Sequence, residues 1–133
     1  MMPESPKPPR YAFVYGTLRC GGSNDITRFD PKPERVADAR IAGTLYHLGA
    51  YPGAVLGGTG ELVGEIYCIH PDLEALLDVL EEVGPGGSGE YIKREVLVEI
   101  ESGERMTCLV YEIHPARILE RMVIPSGDWF RQG

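Results

Sequence analysis

Two places in this chain combine residue type and spacing in a way that could do chemistry: a strand that ends in glycine, and a glutamate beside the apolar stripe of a helix. The run Tyr11 to Val14 is apolar and reads as a buried strand. It stops at Tyr15-Gly16-Thr17-Leu18-Arg19, with Gly21-Gly22 just behind. Glycine at a strand end permits positive φ and lets backbone N–H groups approach a ligand without interference from a Cβ. Such amides, helped by the Thr17 hydroxyl, suit a small anion such as a carboxylate. The same residues also describe an ordinary strand entering a tight turn.

The glutamate lies at the end of the one clear helical pattern, Pro71 to about Val83. Pro71 suits the first helical position and Asp72 the first turn. Leu73, Leu76, Leu77 and Leu80 follow the i, i+3, i+4, i+7 spacing of a single apolar face. With Leu73 at zero and about 100° per residue, Leu77 falls near about 40°, Glu81 near about 80° and Glu82 near about 180°. Glu81 is therefore expected at the rim of the buried stripe and Glu82 in water. A partly desolvated carboxyl has a raised pKa, which suits it to proton transfer. The alternative is a solvated carboxylate near the negative end of the helix dipole.

The elements that must position these groups follow from punctuation. Prolines 31 and 33 discourage a long helix between Cys20 and Pro33. Val36, Ala39, Ile41 and Leu45 mark a second strand. Gly49, Pro52, Gly53, Gly57, Gly58 and Gly60 predict a long loop, broken only by Ala54-Val55-Leu56, of the kind that carries binding residues. Leu62 to Ile69 reads as a third strand. Gly84-Pro85-Gly86-Gly87-Ser88-Gly89 ends the helix. Tyr91 to Ile100 and Arg105 to Ile113 then read as a hairpin turning at Ser102-Gly103. Strands outnumber helices, which predicts an α+β domain on a mixed or antiparallel sheet.

The 133 residues suffice for one domain, predicted over 10–133, with a Pro-rich disordered tail over 1–9. Apolar residues at 43% and charged residues at 25% are those of an ordinary globular protein. Thirteen Lys and Arg against twenty Asp and Glu give a net charge of −7, which argues against nucleic acid and anionic membrane surfaces as partners. Without an apolar leader or a spanning segment, the expected location is the cytoplasm. Cys20, Cys68 and Cys108 show neither disulfide nor zinc spacing. Cys68 and Cys108 read as small core residues.

Several segments in order resemble the gamma-glutamylcyclotransferase-like family. These are Tyr15-Gly16-Thr17-Leu18-Arg19 with Gly22 and Asn24, Gly43-Thr44-Leu45-Tyr46 through Tyr51-Pro52-Gly53-Ala54-Val55, and Val63-Gly64-Glu65-Ile66-Tyr67 with Leu77-Asp78-Val79-Leu80-Glu81. Tyr91-Ile92-Lys93-Arg94 follows, and Ile124-Pro125-Ser126-Gly127-Asp128-Trp129 is similar to the small bacterial branch. The resemblance implies a small mixed β-barrel with one or two packed helices. It also implies a cofactor-independent, metal-free enzyme that cyclises a γ-glutamyl compound, releasing 5-oxoproline and an amine or amino acid.

By that resemblance Glu81 is the catalytic acid/base, with Glu90 as its rival, because the family has glycine where this chain has Glu82. The backbone of Gly16, Thr17 and Leu18 holds substrate oxygens, Tyr15 lines the pocket and Tyr91 donates its hydroxyl there. Arg94 pairs either with a substrate carboxylate or with an internal acid. Arg19 is expected in a structural ion pair and Trp129 as a clamp on the C-terminal segment. A non-catalytic ligand-binding or regulatory module of the same fold is the alternative. Three further readings have little support: a Cys20–His47 hydrolase, a His70–His114 metal pair and, without a Gly-Lys-Ser/Thr ending, a nucleotide loop.

Overall fold

The computed structural model describes residues 10–48, 52–80, 91–114 and 123–131. The elements are β1 (Arg10–Val14), a 3-10 turn (Ile26–Arg28), β2 (Glu34–His47), β3 (Pro52–Ile69), α1 (Pro71–Leu80), β4 (Tyr91–Glu99), β5 (Arg105–Ile113) and β6 (Val123–Ile124). The strands form one sheet in the order β4-β5-β1-β3-β2-β6. The β1–β5 pair is parallel and the other pairings are antiparallel, so the sheet is mixed. It curls enough for β2 to approach β4, which is not its ladder neighbour. The result is a half-barrel with one helix among the described residues, in the expected α+β class. The proposed tail over 1–9 lies outside the described residues.

Alternation along the strands divides the core in two. Ala12 and Val14 of β1, Tyr67 and Ile69 of β3, and Leu109, Tyr111 and Ile113 of β5 pack with Leu73 and Leu77 of α1. Phe13, Tyr15, Ala39, Ile41, Leu45, Ile66, Cys108 and Val110 fill the opposite, concave face. Central strand β1 is thus covered on both faces, which is why Tyr11 to Val14 form an unbroken apolar run.

The glycine-rich stretch from 49 to 60 is not the long loop expected from its punctuation. Gly49 to Tyr51 lie outside the described residues, and from Pro52 the chain is already in β3. Pro52 to Leu56 pair with His47 to Gly43, and Glu61 resumes opposite Ala42. Gly57 to Gly60 are the extra residues of a bulge, with Gly57 and Gly58 at φ of 90° and 78°. A side chain at Gly60 would lie 2.5 Å from the Gly43 carbonyl oxygen. The glycines here interrupt a ladder rather than end it.

Helix α1 also departs from its expected face. Leu73 and Leu77 are fully buried, but Leu76 is 50% exposed. The buried side is rotated towards Glu74 and Asp78, because Lys93 on β4 bonds both carboxylates and Tyr111 on β5 donates to Asp78. Charged partners on the sheet let two acidic residues replace part of a leucine stripe. Cys108 is buried, with its thiol pushed up to about 11 by burial, whereas Cys68 is only partly covered.

Candidate active site

The turn after β1 is closed by its own backbone. The Arg19 N–H donates to the Gly16 carbonyl at 3.0 Å, Asn24 to Thr17 at 2.9 Å and Ile26 to Leu18 at 2.9 Å. The N–H groups of Gly16, Thr17 and Leu18 take no part in these bonds. Asn24 also donates to the Thr17 hydroxyl at 3.2 Å. The carboxylate of Asp25 accepts from the Gly21 amide at 2.9 Å and from Thr27, and these bonds hold it below the usual carboxylate range. The turn is a fixed loop carrying three consecutive amides at the end of a buried strand.

Pro52 joins this turn to β4. A Cβ on Gly16 would lie 2.5 Å from Pro52 Cγ, so only glycine permits the contact. The Tyr91 hydroxyl, buried, donates to the Pro52 carbonyl at 2.7 Å. Gly16 and Tyr91, distant in sequence, are therefore adjacent through one proline. Leu18 and Tyr91 share the core on the helix side of the sheet.

That same side anchors α1. The Tyr111 hydroxyl donates to Asp78 Oδ1 at 2.7 Å, and Lys93 Nζ donates to Asp78 Oδ2 at 3.1 Å and to Glu74. Burial alone would lower the Lys93 pKa, but the bonds to Glu74 and Asp78 outweigh it and hold the ammonium above its ordinary range. Glu81 and Glu90 lie outside the described residues. In sequence, Glu81 immediately follows the last residue of α1, three positions after Asp78 and four after Leu77.

The other predicted residues fall elsewhere. Tyr15 turns to the concave face, where its hydroxyl donates to the Tyr111 carbonyl at 2.5 Å and accepts from Ala54 N–H at 3.2 Å. It ties β1 to β5 and β3 beneath the turn. Arg94 lies three residues from Tyr91, hence on the opposite face of β4. Its Nε donates to buried Glu112 at 3.0 Å, and Glu112 also accepts from Leu56 N–H at 2.8 Å. Arg94 thus has the internal acid Glu112 as a partner.

Arg19 stands in ion pairs with Glu65 at 2.9 Å and Asp128 at 2.7 Å, as expected of a structural residue. Trp129 packs its ring 5.5 Å from that of His47 and against the concave core. The alternating pattern concealed Pro52, Asp78, Lys93 and Tyr111, because their importance depends on contacts between separate strands and α1. Among the described residues, no group of three or more His, Cys, Asp or Glu side chains is arranged to hold a metal. No described helix is long and apolar enough to cross a membrane.

Comparison with known proteins bears on this arrangement. The profile described as gamma-glutamyl cyclotransferase, AIG2-like, matches residues 12–131. A Vibrio cholerae protein assigned provisionally as a gamma-glutamylcyclotransferase is 37% identical over 125 residues, covering 88% of this chain and 92% of its own. The gamma-glutamylcyclotransferase family protein YtfP of Escherichia coli K12 is 36% identical over 118 residues, covering 88% of this chain and 93% of its own. The solution structure of Escherichia coli ytfP matches with a TM-score of 0.63 at 32% identity, over 90% of this chain and 95% of that one. A mouse AIG2-like protein shares the fold at a TM-score of 0.71 and 24% identity, over 86% of this chain and 82% of its own.

Proposed function

The chain belongs to the gamma-glutamyl cyclotransferase, AIG2-like family, and from that premise we propose that it cyclises a γ-glutamyl compound to 5-oxoproline and a free amine or amino acid. The observation that carries this reading is the adjacency of Gly16 and Tyr91 across Pro52, on the face of the sheet that also docks α1. It brings a set of backbone amides, a phenol and the end of the helix that precedes Glu81 to one side of the fold.

The substrate supplies its own nucleophile. Its α-amine attacks the γ-carbonyl, a five-membered ring closes, and the bond from the γ-carbon to the departing nitrogen breaks. Holding the chain folded in a near-attack geometry contributes several of the roughly 7–11 kcal/mol that orientation can supply. The Gly16, Thr17 and Leu18 amides bind the α-carboxylate or nearby oxygens through neutral donors. Tyr91, with its hydroxyl on the Pro52 carbonyl, stands beside the turn. The carboxyl of Glu81 takes one proton as the α-ammonium becomes a nucleophile and delivers it to the leaving nitrogen as the C–N bond breaks; the second proton, shed by the ring nitrogen after attack, goes to the freed amine, which departs as its ammonium. Glu90 is the alternative for that role. Donors that face the γ-oxygen stabilise the oxyanion as the carbonyl becomes tetrahedral.

Arg94 acts here as the partner of Glu112 rather than of substrate, and Tyr15 as a support beneath the turn. These assignments need no cofactor or metal ion. The test is incubation of the protein with γ-glutamyl amino acids, γ-glutamyl amines and glutathione, with 5-oxoproline measured as product. Release from at least one class supports the assignment and identifies the leaving group. Binding without release from any class would favour a ligand-binding module of the same fold.

A further inference from the structure

Buried Glu65, on β3, is engaged by three donors that belong to or adjoin the turn after β1. Its carboxylate accepts from Arg19 Nε at 2.9 Å, from the Cys20 amide at 2.9 Å and from the Tyr67 hydroxyl at 2.9 Å. Its two carboxylate oxygens are thus shared among three donors. Burial, followed by this bond and the adjacent charge, pushes the Tyr67 hydroxyl well above its ordinary range.

Arg19 is gripped from the other side by the C-terminal segment. Its Nη1 donates to Asp128 Oδ1 at 2.7 Å, and its guanidinium carbon lies 4.3 Å from the centre of the Phe130 ring. That segment is itself fixed to β3: Val63 N–H donates to the Gly127 carbonyl at 2.9 Å. Gly127 has φ of 66°, and a Cβ there would lie 1.7 Å from the Glu61 carbonyl oxygen. Two carboxylates thus engage the guanidinium of Arg19, which stands in the same turn as the Gly16–Leu18 amides.

We propose that Glu65 is a positioning residue which, through Arg19 and the Cys20 amide, presets the Gly16–Leu18 amides for the substrate carboxylate, with Asp128 completing the hold from the C-terminal segment. This rests on the reading of the turn as the carboxylate cradle. An interaction made equally in the ground and transition states appears in KM, whereas loss of the acid/base appears in kcat. The device predicts the first pattern.

The test compares wild type, Glu65→Gln and Asp128→Asn by kinetics, thermal unfolding and amide NMR. Asp128→Asn keeps the test decisive if the buried Glu65 variant does not fold. Expected is a KM rise of about tenfold or more for Glu65→Gln and about threefold or more for Asp128→Asn, exceeding any fall in kcat. Asp128→Glu, which keeps the charge, should recover part of that loss. The amide signals of Gly16, Thr17 and Leu18 should shift in both variants, and their response to added 5-oxoproline should weaken. A folded variant with unchanged KM and unchanged turn signals overturns the proposal. Wild type that releases no 5-oxoproline overturns the catalytic reading instead. The NMR response to 5-oxoproline then decides the positioning claim alone: weakening in the variants supports it, and a response equal to wild type or absent from it overturns it.

Discussion

The Tyr111 hydroxyl lies 2.7 Å from Asp78 Oδ1 and so fastens the C-terminal half of α1 to β5. Lys93, directly opposite Tyr111 in the β4–β5 ladder, bonds the other oxygen of the same carboxylate. A helix of ten residues with a buried stripe of Leu73 and Leu77 gains from these bonds a fixed rotation as well as stability.

Removing the Tyr111 hydroxyl should therefore cost more than a surface hydrogen bond. A bond to a charged acceptor contributes about 1.5–3 kcal/mol, so Tyr111→Phe should destabilise the protein by roughly that amount. Denaturant unfolding measures it. A loss below about 0.5 kcal/mol would show that Asp78 finds an equivalent donor.

Lys93 gives α1 a pH dependence. Its folded pKa is raised above the unfolded value of about 10.4, so its contribution is complete below that pH and is lost as pH rises through the folded value. Melting temperatures followed from pH 8 to pH 11.5 should fall more steeply for wild type than for Lys93→Met over the upper part of that range. Parallel curves would contradict the assignment.

The rotated face of α1 is checked by two truncations. Leu77→Ala should cost about 2–5 kcal/mol, as a buried leucine does. Leu76→Ala, at a half-exposed position, should cost well under about 1 kcal/mol. Equal losses would restore the leucine stripe expected from periodicity.

Gly16→Ala places a methyl group against the ring of Pro52. The ring cannot yield as a flexible side chain would, and overpacking of this kind costs about 1–3 kcal/mol. The turn must also shift away from Pro52 and Tyr91, so KM for a γ-glutamyl substrate should rise in the folded variant. Unchanged stability and KM would remove Gly16 from the site.

Much of the scaffold is visible in the sequence because its causes are local. Tyr11 to Val14 of β1 are apolar because both faces of the strand are covered, and the β4–β5 hairpin alternates around a Ser-Gly turn. The β2–β3 ribbon is hidden because Gly43 finds Leu56 across a bulge of glycines that locally resembles a loop. The helix face is misleading for a related reason: Glu74 and Asp78 are drawn inward by Lys93 and Tyr111, which no local pattern announces. At the site, Gly16 and Tyr91 are marked by motif, but Pro52, which joins them, and Glu65, which grips the turn, show their roles only when strands meet.

Glu81, which follows α1 in sequence, is proposed as the acid/base for a substrate held by the Gly16–Leu18 amides. The most direct test of that role is the rate of 5-oxoproline release by wild type, Glu81→Gln and Glu90→Gln on whichever γ-glutamyl compound wild type turns over best. General acid–base groups contribute about 10²–10⁴-fold, so Glu81→Gln should lose at least about a hundredfold in kcat with its melting temperature preserved, while Glu90→Gln stays active. Full turnover by a folded Glu81→Gln would contradict the account.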